Sequence, residues 1–329
     1  MESGENKRSG LVVRVLFLAG FSVCHLWCPG TGLVTNTQPA VVRQPDTDGS
    51  RVRSLSSMAD HYLAQGRYRE ALPLLKEALG ITERGFGPGH LEVARILNDL
   101  GVVCKYAGRF AESERVYRRA LAITEKLLGP DDPAVATIYH NLGGLEHARG
   151  RYWLGEPFAR RAVQLRRRAL GPDHPDVAAD QAALAAILDG EGRRKDAERL
   201  YLCALAVFER VYGPDSYEVA VNLNNLAALY QAQGKLRESE WRYQRALEIK
   251  QKLLGANHPD VAMTMNNVAV LYRSERRWEE AESLYRTAIP ILERALGPRH
   301  PTVVASQENY KHLLRRWHPA QGERLSTSS

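Results

Sequence analysis

The chain has 329 residues, 44% hydrophobic and 25% charged; its 26 glycines show no three-residue period and it has 4 cysteines, which excludes a collagen-like chain and a disulfide-dense miniprotein. The apolar share also excludes a wholly disordered chain. The net charge of +7 comes from 45 Lys and Arg against 38 Asp and Glu, and it is spread along the sequence rather than gathered into the stripe that nucleic-acid binding needs, so no nucleic-acid partner is expected.

Residues 1–32 differ from everything after them. Lys7, Arg8 and Arg14 precede an apolar run from Val15 to Cys28, which is followed by Gly30, Thr31 and Gly32. This is the layout of a signal peptide, and the 14-residue run, which includes His25, falls short of the roughly 20 apolar residues of a membrane-spanning helix. Export to a secreted or periplasmic location is expected, with an uncleaved membrane anchor or a cytoplasmic chain with a mis-set start as alternatives. A membrane partner follows only if the segment is retained. Neither Cys24 nor Cys28 is preceded by the small residues of a lipoprotein signal. Residues 33–50, with two prolines, read as a linker.

From there a strict internal repeat organises the chain. The string LGPDDPAVA at Leu128 returns as LGPDHPDVA at Leu170, YGPDSYEVA at Tyr212, LGANHPDVA at Leu254 and LGPRHPTVV at Leu296. Glycines at 87, 129, 171, 213, 255 and 297 set a 42-residue interval, and a second column from Gly66 through Gly234 keeps the same interval and ends at Arg276. Between the columns lie paired segments with helical apolar spacing, such as the one from Val219 and the one from Leu236. Glycine ends each helix in the left-handed region, and His-Pro or Asp-Pro supplies an N-cap followed by a pre-set first helical residue. His90, His174, His258 and His300 share that turn with Asp132 and Ser216, so they read as caps rather than metal ligands. Small residues recur where paired helices must approach: Ala59, Gly101, Gly143, Ala185, Ala227 and Ala269 on the first helix, and Ala78, Ala120, Ala162, Ala204, Ala246 and Ala288 on the second. Tyr117, Tyr201, Tyr243 and Tyr285 are the large partners.

The fifth unit, with Leu226, Ala227, Tyr230, Gly234, Ser239, Tyr243 and Ala246, resembles the tetratricopeptide repeat and departs from it only at Leu236, where the family prefers Tyr. The 42-residue period resembles the longer variety found in kinesin light chains. The resemblance implies an all-α, right-handed superhelical solenoid of six repeats over 52–85, 94–127, 136–169, 178–211, 220–253 and 262–295. A capping helix near 303–317 and a disordered tail over 318–329 complete the chain. Two units look irregular: the third, with Glu146 and Gly155, and the last, where Pro290 should kink or end its helix at about 3 kcal/mol. The basic cluster Arg160, Arg161, Arg166, Arg167 and Arg168 reads as a solvated helix face. Cys104 and Cys203, two repeats apart, should lie on the order of 20 Å from each other, too far for a disulfide.

No HExxH, P-loop, GxSxG or paired CxxC motif occurs, so neither an enzyme nor a bound cofactor or metal is expected. The family resemblance makes the concave surface, lined by the first helix of each unit, the expected binding face. Asn98, His140, Asn224 and Asn266 belong to a column expected to point into that groove, one residue before a structural column of Asp99, Asn141, Asn225, Asn267 and Asn309. Asn amides offer donors and an acceptor to an extended peptide without reading its side chains. Arg95, Lys105, His147, Gln231 and Arg273 are expected on the same face against the single acid Asp189, which suggests acidic segments as partners. The expected function is a non-enzymatic adaptor for a protein or peptide partner, with a self-associating structural scaffold as the alternative.

Overall fold

A computed structural model describes residues 47–317 as thirteen α-helices in consecutive antiparallel pairs. The signal-like segment 1–32, most of the linker and the tail 318–329 lie outside the described residues. Helix α1 (Thr47–Ala64) pairs with α2 (Tyr68–Phe86), α3 (Leu91–Tyr106) with α4 (Phe110–Leu128), and α5 (Pro133–Ala148) with α6 (Tyr152–Leu170). Then α7 (Pro175–Gly190) pairs with α8 (Arg194–Tyr212), α9 (Tyr217–Ala232) with α10 (Leu236–Leu254), and α11 (Pro259–Ser274) with α12 (Trp278–Leu296), and α13 (Pro301–Trp317) closes the array.

The turn residues act as their types dictate. Nδ1 of His90, His174, His258 and His300 each accepts the backbone N–H two residues on, at 3.1 Å, and Asp132 accepts that of Ala134 at 2.8 Å. Within each pair the first helix ends in a Schellman turn: Arg109 N–H donates to Cys104 O at 2.8 Å and Gly108 N–H to Lys105 O at 3.0 Å. The last pair makes the same turn with Arg276, whose φ of 62° is the one positive value on a non-glycine among the described residues.

Close packing follows the small-residue columns. Ala78, Ala120, Ala162, Ala204, Ala246 and Ala288 are fully buried, as are the rings of Tyr117, Tyr201, Tyr243 and Tyr285. Ser113 and Ser239 donate across the pair to the carbonyls of Gly101 and Ala227, both at 2.8 Å. At the end of the array, α13 buries Leu313 and Leu314 against the last pair and leaves Arg315 and Arg316 in solvent. Cys104 is buried and Cys203 exposed, and both thiols are free.

One expectation is narrowed and one is corrected. Pro290 does not end its helix; α12 runs on to Leu296. Pro290 is exposed, so the carbonyl that loses its intrahelical partner faces water. Arg166 does not belong to a solvated face: its side chain is only 11% exposed, with Nε 2.7 Å from Asp180 Oδ2 and Nη1 3.5 Å from Asp176 Oδ2.

The array also winds far enough to meet its own start. The N-terminus of α11 lands on the α1–α2 turn, where His258 Nε2 donates to Ala64 O at 2.9 Å. One unit on, His300 Nε2 donates to Tyr106 O at 2.9 Å on the α3–α4 turn. Because Nδ1 of each ring accepts a cap N–H, Nε2 carries the proton, and each ring makes the cap and the closing contact together only as the neutral imidazole. The approach is tight: a Cβ on Gly66, whose φ is +70°, would lie 2.2 Å from Pro259 Cγ. Val261, Met263, Met265 and Leu292 from the end of the chain share one core with Tyr68, Leu75, Val93 and Leu97 from its beginning.

Two outcomes follow. Arg276→Gly removes the cost of a left-handed side chain and should raise stability by about 1 kcal/mol in urea titration. Burial, with Arg69 nearby, holds the His300 imidazole down to about 4 despite its hydrogen bond to Tyr106 O. An opened or unfolded chain takes the proton near 6.5, so the closure is at full strength above that pH and is lost as pH falls toward about 4. The melting temperature of the wild type should therefore drop over this window more steeply than that of His300→Asn.

Candidate functional site

The first helices of the units line the inside of the superhelix, and a cavity of about 170 Å³ opens between α1, α3, α5, α7 and α9. Of the nine residues expected to form the binding face, Asn98, His140 and His147 line this cavity. Asn224 and Asn266 lie farther along and are buried, Asn266 completely. Gln231 is half-buried and accepts from the Tyr243 hydroxyl at 3.5 Å, and Arg273 donates to Asn309 O at 3.3 Å.

The two asparagine columns are joined rather than separate. Asn141 Nδ2 donates to Asn98 Oδ1 at 2.8 Å, and Asn267 Nδ2 donates to Asn224 Oδ1 at 3.1 Å. Each bond links one unit to the next across the inner face, so the structural column holds the column before it. Other amides are left over: both polar atoms of Asn222, Asn266 and Asn309 are buried and meet no hydrogen-bond partner in the protein.

The expectation of acidic partners needed its cations to face the groove, and the structure engages them elsewhere. Arg95 donates to Glu92 at 2.7 and 2.9 Å and to Asp99 at 3.1 Å. Lys105 is 1% exposed, its ammonium 4.7 Å from the Tyr106 ring centroid, and burial pushes its amine down to about 7. His147 is buried beside Tyr152, with ring centroids 5.3 Å apart. His140 Nδ1 lies 2.6 Å from Asp180 Oδ1; burial lowers its pKa more than Asp180 raises it, so the ring is a neutral donor.

Sequence columns did not single out one group that lines the cavity. Arg166, His140 and Asp180 form one half-buried chain of hydrogen bonds across α5, α6 and α7. The signal that would have found it is a spacing of 14 residues between a second-helix side chain and the next first helix. It joins Arg166 to Asp180, Lys250 to Thr264 at 3.1 Å, and Glu293 to Gln307 at 2.6 Å. Among the described residues no group of His, Cys, Asp or Glu is placed to hold a metal ion, and no helix is long and apolar enough to cross a membrane.

Family comparison matches the tetratricopeptide repeat at residues 50–126, 103–154, 134–210, 184–252, 218–294 and 260–318. The chain belongs to the tetratricopeptide repeat family. Among solved structures, BtubC (BKLC) from P. vanneervenii is 24% identical over 78% of this chain and 94% of that one, with a TM-score of 0.49. A putative kinesin light chain from Podosopora anserina is 21% identical over 62% of this chain and 97% of that one, with a TM-score of 0.47. NprR, solved with its cognate peptide NprX, is 13% identical over 88% of this chain and 80% of that one, and its TM-score of 0.65 reflects a shared fold.

In this tetratricopeptide array Lys105 is a cost that the fold carries. The unfolded amine binds its proton near 10.4 and the folded one only near 7, so the penalty is complete at and below pH 7 and fades as pH rises toward 10.4. Lys105→Met removes this titration, so its stability relative to the wild type should be higher at pH 7 than at pH 10, as measured by chemical denaturation at the two pH values.

Proposed function

We propose that the protein is a non-enzymatic adaptor that holds an extended peptide segment of a partner protein along the inner face of its superhelix. The observation that carries this reading is the set of amides on or beside that face that bond nothing in the protein. A buried, unpaired polar group costs about 1–3 kcal/mol, and a peptide backbone presents donors and acceptors that would relieve it. The tetratricopeptide fold, shared with a protein solved with its cognate peptide, supports the same reading. Export, which the layout of residues 1–32 supports, is the proposed setting.

Asn266 is fully buried, so a peptide reaches it only when the helices around it part. The measured affinity then includes the cost of that opening.

Peptides selected from a random display library on the full-length wild type give the test. Asn266→Ala removes amide atoms that bond nothing, so the circular dichroism should be unchanged while affinity for the selected peptides falls about tenfold. Adding Asn224→Ala should weaken binding further. Full retention of those peptides by the folded double variant would place binding outside the inner face.

A further inference from the structure

The 14-residue link between a second helix and the following first helix is made in the third and fifth units and is missing between them. In the third unit the link is Arg166 to Asp180, and in the fifth it is Lys250 to Thr264. In the fourth, the equivalent pair is Phe208 and Asn222, and a phenyl ring offers an amide no hydrogen bond. Asn222 is 1% exposed, lines the cavity, and has neither its amide oxygen nor its amide nitrogen paired within the protein.

The surroundings of that amide have a definite sign. Asp60, Asp99, Asp176, Asp180 and Glu218 bring five carboxylates from four helices to the cavity wall, against the one guanidinium of Arg166. Arg166 bridges Asp176 and Asp180, and Arg95 reaches Asp99 from beside the cavity. Glu218 makes no ion pair among the described residues. Phe208 and Tyr212 also line the cavity, with stacked rings whose centroids are 6.3 Å apart. Aromatic faces and carboxylates attract the same kind of ligand, a cation soft enough to leave water. A cavity of about 170 Å³ is close in size to one of about 150 Å³ that admits benzene, so it suits a cationic head with a few methylenes rather than a peptide backbone.

We propose that this cavity binds an organic cation, an ammonium or guanidinium head on an alkyl chain, with Glu218 as counter-charge, Asn222 as hydrogen-bond partner, and Phe208 and Tyr212 as the aromatic wall. The inference deepens the peptide-binding reading and rests on it for one source of the cation, an Arg or Lys side chain of the bound segment. A free amine is the other source. The cavity reverses the charge preference expected from the sequence: it selects a basic residue.

Calorimetric titration of the full-length protein with agmatine tests the cavity. Blocked Gly-Gly-Arg-Gly-Gly and its isosteric citrulline counterpart, titrated in parallel, test the source. Saturable agmatine binding that weakens about tenfold in Glu218→Gln, and again in Asn222→Leu, is the expected result. Asn222→Leu should also melt higher than the wild type, since it removes an unpaired buried amide, and this shows that its loss of binding is not a loss of fold. Binding of the Arg peptide over the citrulline peptide assigns the cation to a partner side chain. Agmatine binding without Arg-peptide binding keeps the cavity, assigns it to a free amine and removes the peptide reading alone. No agmatine saturation up to about 10 mM, or equal affinities in wild type and both variants, overturns the proposal. Equal binding of the two peptides without agmatine binding also overturns it while leaving the inner-face reading intact.

Discussion

The close approach of the two helices in every unit, over an alanine or glycine on the first and an alanine on the second, is the constraint on which the rest of the molecule depends. With those Cβ atoms fully buried and a tyrosine filling the space beside them in four units, each pair has one well-packed geometry. Repeating one geometry turns the array by a constant increment, so its far end returns over its beginning. The two closing contacts show how constant the increment is. His258 to Ala64 and His300 to Tyr106 each span 194 residues, each uses Nε2, and each measures 2.9 Å. One contact of this kind could be local accident; the same contact displaced by one repeat requires that the intervening units add up alike.

Much of this was legible in the sequence because repeat proteins are specified by nearest neighbours. The glycine columns, the capping His, Asp and Ser, and the two small-residue columns each act within one unit or between adjacent ones. Arg276 shows how strong that specification is, since it adopts the left-handed turn without being glycine. The closure was not legible, because it follows from the sum of many small rotations and no column encodes it. Arg166 was misread for a related reason. Its neighbours Arg167 and Arg168 are exposed, and only the position of Asp180 in the next unit turns Arg166 inward.

The inner face was legible in outline and not in detail. Placing Asn98 and Asn224 on it came from the family resemblance and their place one residue before the structural column, which suggest the direction of a side chain but not its partner. The partners are the asparagines of the next unit, Asn141 and Asn267, which convert half of the expected recognition ladder into a seam within the fold. Asn222 escaped notice because its column holds Ile96 and Ile138 in earlier units and Asp180, Thr264 and Ser306 elsewhere. A column that mixes core and polar residues carries no pattern by itself, and its meaning emerges only when each polar member is asked what the preceding helix supplies.

That question also separates polar residues that serve the fold from those that do not. Asp180, Thr264 and Ser306 are each hydrogen-bonded, to Arg166 and His140, to Lys250, and to Thr302 O respectively. Asn222, Asn266 and Asn309 are not, and at about 1–3 kcal/mol each their cost is large beside a total stability of about 5–15 kcal/mol. A leucine at any of these sites would keep the apolar packing and remove the penalty. A ligand that pairs these amides recovers in binding what the empty fold forgoes, so occupancy and stability rise together.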